Sequence, residues 1–122
     1  MANQAPQQSA RTLDISGDDL RSYKISFDTL EWSDAIPGVR HKIYADGARI
    51  LRLVEYTSKM DPHWCSKGHI GLILDGRFEI EFHDSKSIFE AGDGVFIPSG
   101  EEHKHRATVL TEVVRAIFVE DI

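Results

Sequence analysis

Four side chains able to ligate a metal sit in two short stretches of this chain. His63, Cys65 and His69 fall within the run His63-Trp64-Cys65-Ser66-Lys67-Gly68-His69, and His103 follows Pro98-Ser99-Gly100. On an extended strand, residues two apart point to the same face, so His63 and Cys65 can reach one site together. Ser66-Lys67-Gly68 is polar and flexible enough to turn the chain and bring His69 alongside. Imidazoles with one thiolate form a donor set that suits zinc, and also iron, nickel or copper. A lone histidine is more often a hydrogen-bonded surface or core residue, and a lone cysteine a small buried hydrophobe. The grouping at strand parity is what marks the stretch. His105 shares the parity of His103 and is a candidate proton-transfer group facing the same pocket, the other reading being a solvated strand residue.

The elements that must position these residues read as strands. Residues 49–56 are rich in Ile, Leu, Val and Tyr, a strand composition. Within residues 77–82, Phe78, Ile80 and Phe82 share one face while Arg77, Glu79 and Glu81 share the other, the pattern of a half-buried strand. Further strands are expected at 23–27, 69–74, 95–97, 103–110 and 112–119. Asp75-Gly76 is expected to close a two-residue type I′ hairpin between 69–74 and 77–82. Pro37-Gly38 and Asp46-Gly47 mark two more turns. Ser16 with Asp18 and Asp19 is expected to start a short helical turn. Closely spaced short strands joined by tight turns point to an all-β sandwich or barrel.

Two segments carry a family resemblance. Residues 62–76 resemble the first motif of the cupin superfamily, which has a histidine, a second histidine two later, a glutamate six later and a glycine thirteen later; here those offsets hold His63, Cys65, His69 and Gly76. The stretch Gly92-Asp93-Gly94-Val95-Phe96-Ile97-Pro98-Ser99-Gly100-Glu101-Glu102-His103 resembles the second motif, a Gly-Asp start, a Pro-x-Gly turn and a closing histidine. The resemblance implies a double-stranded β-helix, the jelly-roll barrel of cupins, over residues 13–122 with core motifs at 46–119. Residues 1–12, rich in Gln, Ala and Ser, are expected to be a flexible tail. It also implies a homodimer, and a metal held by His63, Cys65, His69 and His103. Cys65 stands where the family has a histidine, and His69 where it has a glutamate. Losing a hard carboxylate and gaining a soft thiolate moves metal preference from manganese toward zinc, with iron, nickel or copper as alternatives.

Composition bounds the function. The 122 residues suit one domain that folds without disulfides, and 41% hydrophobic with 28% charged residues is ordinary for a globular protein. Fourteen Lys and Arg against twenty Asp and Glu leave a formal charge of −6, which argues against nucleic acid and anionic membrane as partners. No apolar run is long enough to span a membrane, the first residues lack a signal-peptide pattern, and the lone thiol fits a reducing cytoplasm. Arg52 is read as a solvent-face residue, with an anion-binding role inside the barrel as the alternative. Tyr56 and Trp64 are read as packing near the site. His41, His83, Glu101 and Glu102 are expected to be solvated. Three functions follow: a metalloenzyme acting on a small polar molecule, with Lewis-acid or oxygen-activating chemistry; a metal- or redox-sensing module with a structural ion; and a metal-free ligand-binding barrel.

Overall fold

The structure is a computed structural model describing residues 23–121. The expected tail of residues 1–12 and the turn expected at Ser16 lie outside the described residues. Among the described residues the chain forms ten strands and two 3₁₀ turns, and no helix is long and apolar enough to cross a membrane. The strands are β1 (Ser33–Ile36), β2 (Val39–Asp46), β3 (Arg49–Thr57), β4 (Trp64–Cys65), β5 (His69–Asp75), β6 (Arg77–Glu81), β7 (Lys86–Glu90), β8 (Gly94–Ile97), β9 (His105–Val109) and β10 (Val113–Asp121). They make two antiparallel sheets. The larger runs β1-β2-β3-β10-β5-β8 and the smaller β4-β9-β6-β7, the two-sheet arrangement of a jelly-roll barrel.

Alternation decides which face each strand buries. In β10 the even residues Val114, Ala116 and Phe118 point inward and are 0–2% exposed; in β3 Val54 does the same, and in β5 Ile73. Phe78 and Ile80 of β6 and Val95 and Ile97 of β8 complete the core between the sheets. Fully burying each such side chain stabilises the fold by about 1.5–3 kcal/mol relative to exposure. On the outer face of the large sheet, Glu55 accepts from Arg40 Nε at 2.8 Å and from Arg115 Nη2. Burial alone would raise the Glu55 carboxyl, but these guanidinium bonds outweigh it and hold it below its ordinary value.

Three local expectations change. Asp46-Gly47 closes a true hairpin between β2 and β3, with Asp46 opposite Arg49. Asp75-Gly76 does not: β5 pairs β10 and β8 in the large sheet, while β6 pairs β9 and β7 in the small one. Gly76 (φ 81°) is instead the corner where the chain changes sheet, so close to β10 that a Cβ there would lie 2.1 Å from the Val113 carbonyl oxygen. Thr111 pins this corner through its Oγ1, which accepts from the Arg77 N–H at 3.1 Å. Residues 23–27 form no strand, because Phe27–Thr29 is a 3₁₀ turn whose Thr29 N–H and Oγ1 both bond back to the Ser26 carbonyl. The strand expected from residue 103 begins at His105, since Glu101–His103 is a second 3₁₀ turn, closed by the His103 N–H on the Gly100 carbonyl at 3.1 Å.

Candidate metal centre

Register places the key side chains opposite one another. His105 opens β9 directly across from Cys65 in β4, and His69 opens β5 across from Ile97 in β8. The loop between Cys65 and His69 is tied to the turn before β9. The Gly68 N–H donates to Ser99 Oγ at 2.8 Å, and the Gly100 N–H donates to the Ser66 carbonyl at 2.9 Å. Gly68 is required there, because a Cβ would lie 2.3 Å from the Ile97 carbonyl oxygen. Both ligand-bearing segments are therefore fastened to each other before any ion is considered.

One ligand atom each from Cys65, His69 and His105 lies within 4.8 Å of the others. Metal bonds of about 2.0–2.3 Å bring one ion within a side-chain rotation of all three. The hydrogen bonds set the tautomers. His105 Nδ1 donates to the His103 carbonyl at 3.1 Å, which leaves the lone pair on Nε2. That Nε2 is buried and has no hydrogen-bond partner among the described residues. An orphaned buried nitrogen costs about 1–3 kcal/mol, and a metal ion would satisfy it. His69 Nδ1 donates to Glu120 Oε2 at 2.8 Å, so its Nε2 is likewise free. Cys65 Sγ accepts the Lys67 N–H at 3.4 Å. Burial lowers the His105 pKa, with its neighbours His69 and His63 adding to the effect, and keeps its imidazole neutral and competent to ligate. The donor set S, N, N fits a transition metal.

Of the five residues expected at the site, the structure thus brings together Cys65, His69 and His105. His63 lines the same cavity, its Nδ1 facing the Asp61 carbonyl at 3.0 Å. His103 stands outside the group and outside the cavity lining. The 3₁₀ turn spends residues 101–103 before the strand starts, so His105 takes the inward position and His103 contributes its carbonyl to it.

Behind His69 lies a buried relay that sequence reading passed over. Glu120, with a side chain 3% exposed, accepts from Arg52 Nη2 at 2.8 Å and Nε at 3.2 Å as well as from His69. Burial alone would raise the Glu120 carboxyl; the bonds from His69 and Arg52 outweigh it and hold it at about 2. Arg52 is not on a solvent face. Its side chain is 13% exposed, lies on the inward face of β3 with Val54 and Tyr56, and gives Nη1 to His41 Nδ1 at 3.2 Å. His41, expected to be solvated, lines the cavity, and its pKa is lowered by burial and by Arg52. Tyr56 also lines the cavity, and burial pushes its hydroxyl up to about 12. Strand parity was the available signal, since Arg52, Val54 and Tyr56 alternate in step. Trp64 is 44% exposed and faces outward, with the Arg106 guanidinium 4.9 Å from its ring.

These groups line one cavity of about 380 Å³ between the sheets, within the size range of small-molecule sites. Apart from Lys67, its other walls are apolar, among them Ile36, Ile43, Ile50 and Met60.

Comparison with known proteins agrees with this architecture. Among solved structures, KdgF from Halomonas sp. superposes with a TM-score of 0.65 at 25% identity, over 83% of this chain and 93% of that one. The polyketide cyclase RemF from Streptomyces resistomycificus gives 0.65 at 20% identity, over 83% and 80%. The structure of FeII HppE gives 0.66 at 14% identity, over 91% and 63%. No curated protein sequence matches the chain. The cupin domain family matches residues 55–120, a span that opens in β3, includes all of Cys65, His69 and His105, and closes at Glu120. On that match, which covers more than half of the chain, and on the two-sheet barrel around the site, the protein belongs to the cupin family.

Proposed function

We propose that the protein is a metal-binding cupin whose Cys65, His69 and His105, with His63 as a fourth side chain within the same cavity, hold a divalent transition metal, and that it acts on a small polar molecule admitted beside that ion. The observation that carries this reading is the orphaned Nε2 of buried His105, aimed into a group that also holds a thiol and a second imidazole. A thiolate with two or three imidazoles selects zinc first, then iron, copper or nickel, over manganese. The FeII of HppE belongs to that protein; it supports a transition metal in this kind of barrel. Such an ion, when bound, supplies Lewis-acid polarisation of a substrate oxygen.

The chain's own residues then have distinct tasks. Glu120 holds the proton on His69 Nδ1 and so fixes which nitrogen faces the site. Arg52 holds Glu120 in place from behind. The His103 carbonyl does for His105 what Glu120 does for His69. Ile43, Ile50 and Met60 give the rest of the cavity apolar walls, and electrostatic contacts strengthen wherever such walls keep water out.

A second reading rests on His63. If it completes four protein ligands, the site is closed and the ion structural or sensory, with Cys65 as the oxidisable ligand. Elemental analysis and X-ray absorption on the zinc-loaded protein and its variants separate these. Cys65→Ser, His69→Ala and His105→Ala should each fall well below one zinc per chain while keeping the wild-type circular dichroism, and His103→Ala should retain its zinc. Full retention of metal by His105→Ala overturns the assignment. Retention by His63→Ala, with a water in the first shell, favours the enzyme; loss favours the closed site.

We also infer a homodimer through the outer face of the large sheet, where Ile70, Leu72, Phe96 and Val119 are all more than two-fifths exposed.

A further inference from the structure

The hydrogen bonding inside the cavity leaves one cation poorly satisfied. Five charged or chargeable groups besides the histidines line it: Arg52, Tyr56, Lys67, Glu120 and the Cys65 thiol. Arg52 and Glu120 neutralise each other through two hydrogen bonds, at 2.8 and 3.2 Å. Both Glu120 oxygens are thereby engaged, Oε1 by Arg52 and Oε2 by Arg52 and His69. Lys67 is held only by a long ion pair: its Nζ lies 3.9 Å from Glu120 Oε1, beyond hydrogen-bond distance, and its side chain is half exposed at 51%. Its backbone is fixed all the same. Lys67 sits between Cys65 and His69, its N–H bonded to Cys65 Sγ, in the loop that Gly68 and Ser66 fasten to Ser99 and Gly100. The Lys67 backbone is therefore held between two donor residues, and its side chain lines the cavity with an ammonium that makes no hydrogen bond among the described residues and can turn to something that enters.

We propose that the cavity binds a small organic carboxylate, whose anionic head bonds Lys67 beside the metal ligands and whose apolar body lies against Ile43, Ile50 and Met60. One ammonium without a hydrogen-bond acceptor suits a single carboxylate head; a compact ammonium engages a carboxylate as a point charge, without the fork geometry of arginine. The apolar walls exclude a ligand that is polar all round, because its remaining hydroxyls would lose water without gaining partners. This inference rests on the metal-site reading for the placement of the head beside the ion, but the Lys67 contact itself does not require the ion.

The test compares hexanoate with hexanamide, which differ in charge and hardly in shape. Calorimetric titration of zinc-loaded wild-type protein should show hexanoate binding about tenfold or more tighter than the amide. Lys67→Gln should abolish that preference with zinc content and melting temperature unchanged, and Lys67→Arg should restore most of it. Equal or absent binding of acid and amide by the wild type overturns the proposal, as does a preference that survives in Lys67→Gln. Zinc content is measured on the same samples. Should the protein take up no zinc, the metal reading fails by itself, and the acid-over-amide preference in metal-free wild type, with its loss in Lys67→Gln, still decides the lysine.

Discussion

At His69 the chain departs from the cupin motif, and the departure is compensated one bond away. The motif's glutamate is absent, but a carboxylate returns as Glu120, 2.8 Å behind the imidazole. An ion held there would meet His69 Nε2, a nitrogen backed by an anion, rather than the anion itself. Because Arg52 and His69 hold Glu120 at about 2, that anion stays charged across the physiological range. Glu120→Gln keeps the shape and removes the charge. It should weaken zinc affinity about 10–100-fold, read by competition with a chromophoric chelator, while the barrel's circular dichroism is unchanged. Unaltered affinity would mean that His69 needs no orienting partner. The relay was beyond a local reading, since Arg52 and Glu120 are 68 residues apart, and the parity that puts Arg52 in step with Val54 and Tyr56 does not name its partner. The thiol and His69, by contrast, stand in one seven-residue run, and their spacing together with the family resemblance put them at one candidate site.

At the scale of elements, the site depends on how closely β5 and β10 approach. Gly71 of β5 pairs Phe118 of β10, and a Cβ on Gly71 would lie 2.8 Å from the Phe118 ring and 1.9 Å from the Ile117 carbonyl oxygen. Phe118 in turn packs on His69, ring centroids 4.9 Å apart. Gly71→Ala should therefore destabilise by about 1–3 kcal/mol, a fall of roughly 4–12 °C in melting temperature, and should also weaken metal binding by displacing Phe118 against His69. Gly94→Ala, whose Cβ would meet nothing nearer than 3.8 Å, is the control and should stay within a degree or two of wild type. A Gly71→Ala variant as stable as Gly94→Ala would refute the packing argument.

The same scale explains what sequence could reach. Alternation and composition placed six strands from residue 49 onward, because period two follows from burial of one face, but β1, β2, β4 and β7 were not read as strands. Turns were harder. Asp46-Gly47 and Asp75-Gly76 are the same dipeptide, yet one closes a hairpin and the other carries the chain between sheets. Which occurs depends on partners contributed by β8, β9 and β10, all later in the chain. The 3₁₀ turn at Glu101–His103 is a matter of three residues, but it moves the inward histidine from 103 to 105. Local propensity does not resolve such a shift, and the ligand assignment turns on it.

The whole molecule carries a net charge of −6, yet the outer face of its larger sheet is apolar along a single register line. Leu51 of β3 opposes Val119 of β10, Val119 opposes Ile70 of β5, and Ile70 opposes Phe96 of β8. A parallel row joins Leu53, Ile117 and Leu72. Phe96 is 76% exposed. Side chains of opposite parity point into the barrel, so this face can be covered without touching the cavity. The other end of the same face is the ion cluster of Arg40, Glu55 and Arg115, which gives a self-paired interface a polar rim. A twofold pairing through this face buries the aromatic at its edge and both apolar rows. Sedimentation velocity should then give twice the 13.8 kDa chain mass for the wild type, and Phe96→Lys or Ile70→Lys should shift it to the monomer with zinc content unchanged. A monomeric wild type, or lysine variants that sediment as it does, would leave this face to some other partner. A monomer that also lost its zinc would show that pairing and the metal centre are coupled through β5, whose residues alternate between the two.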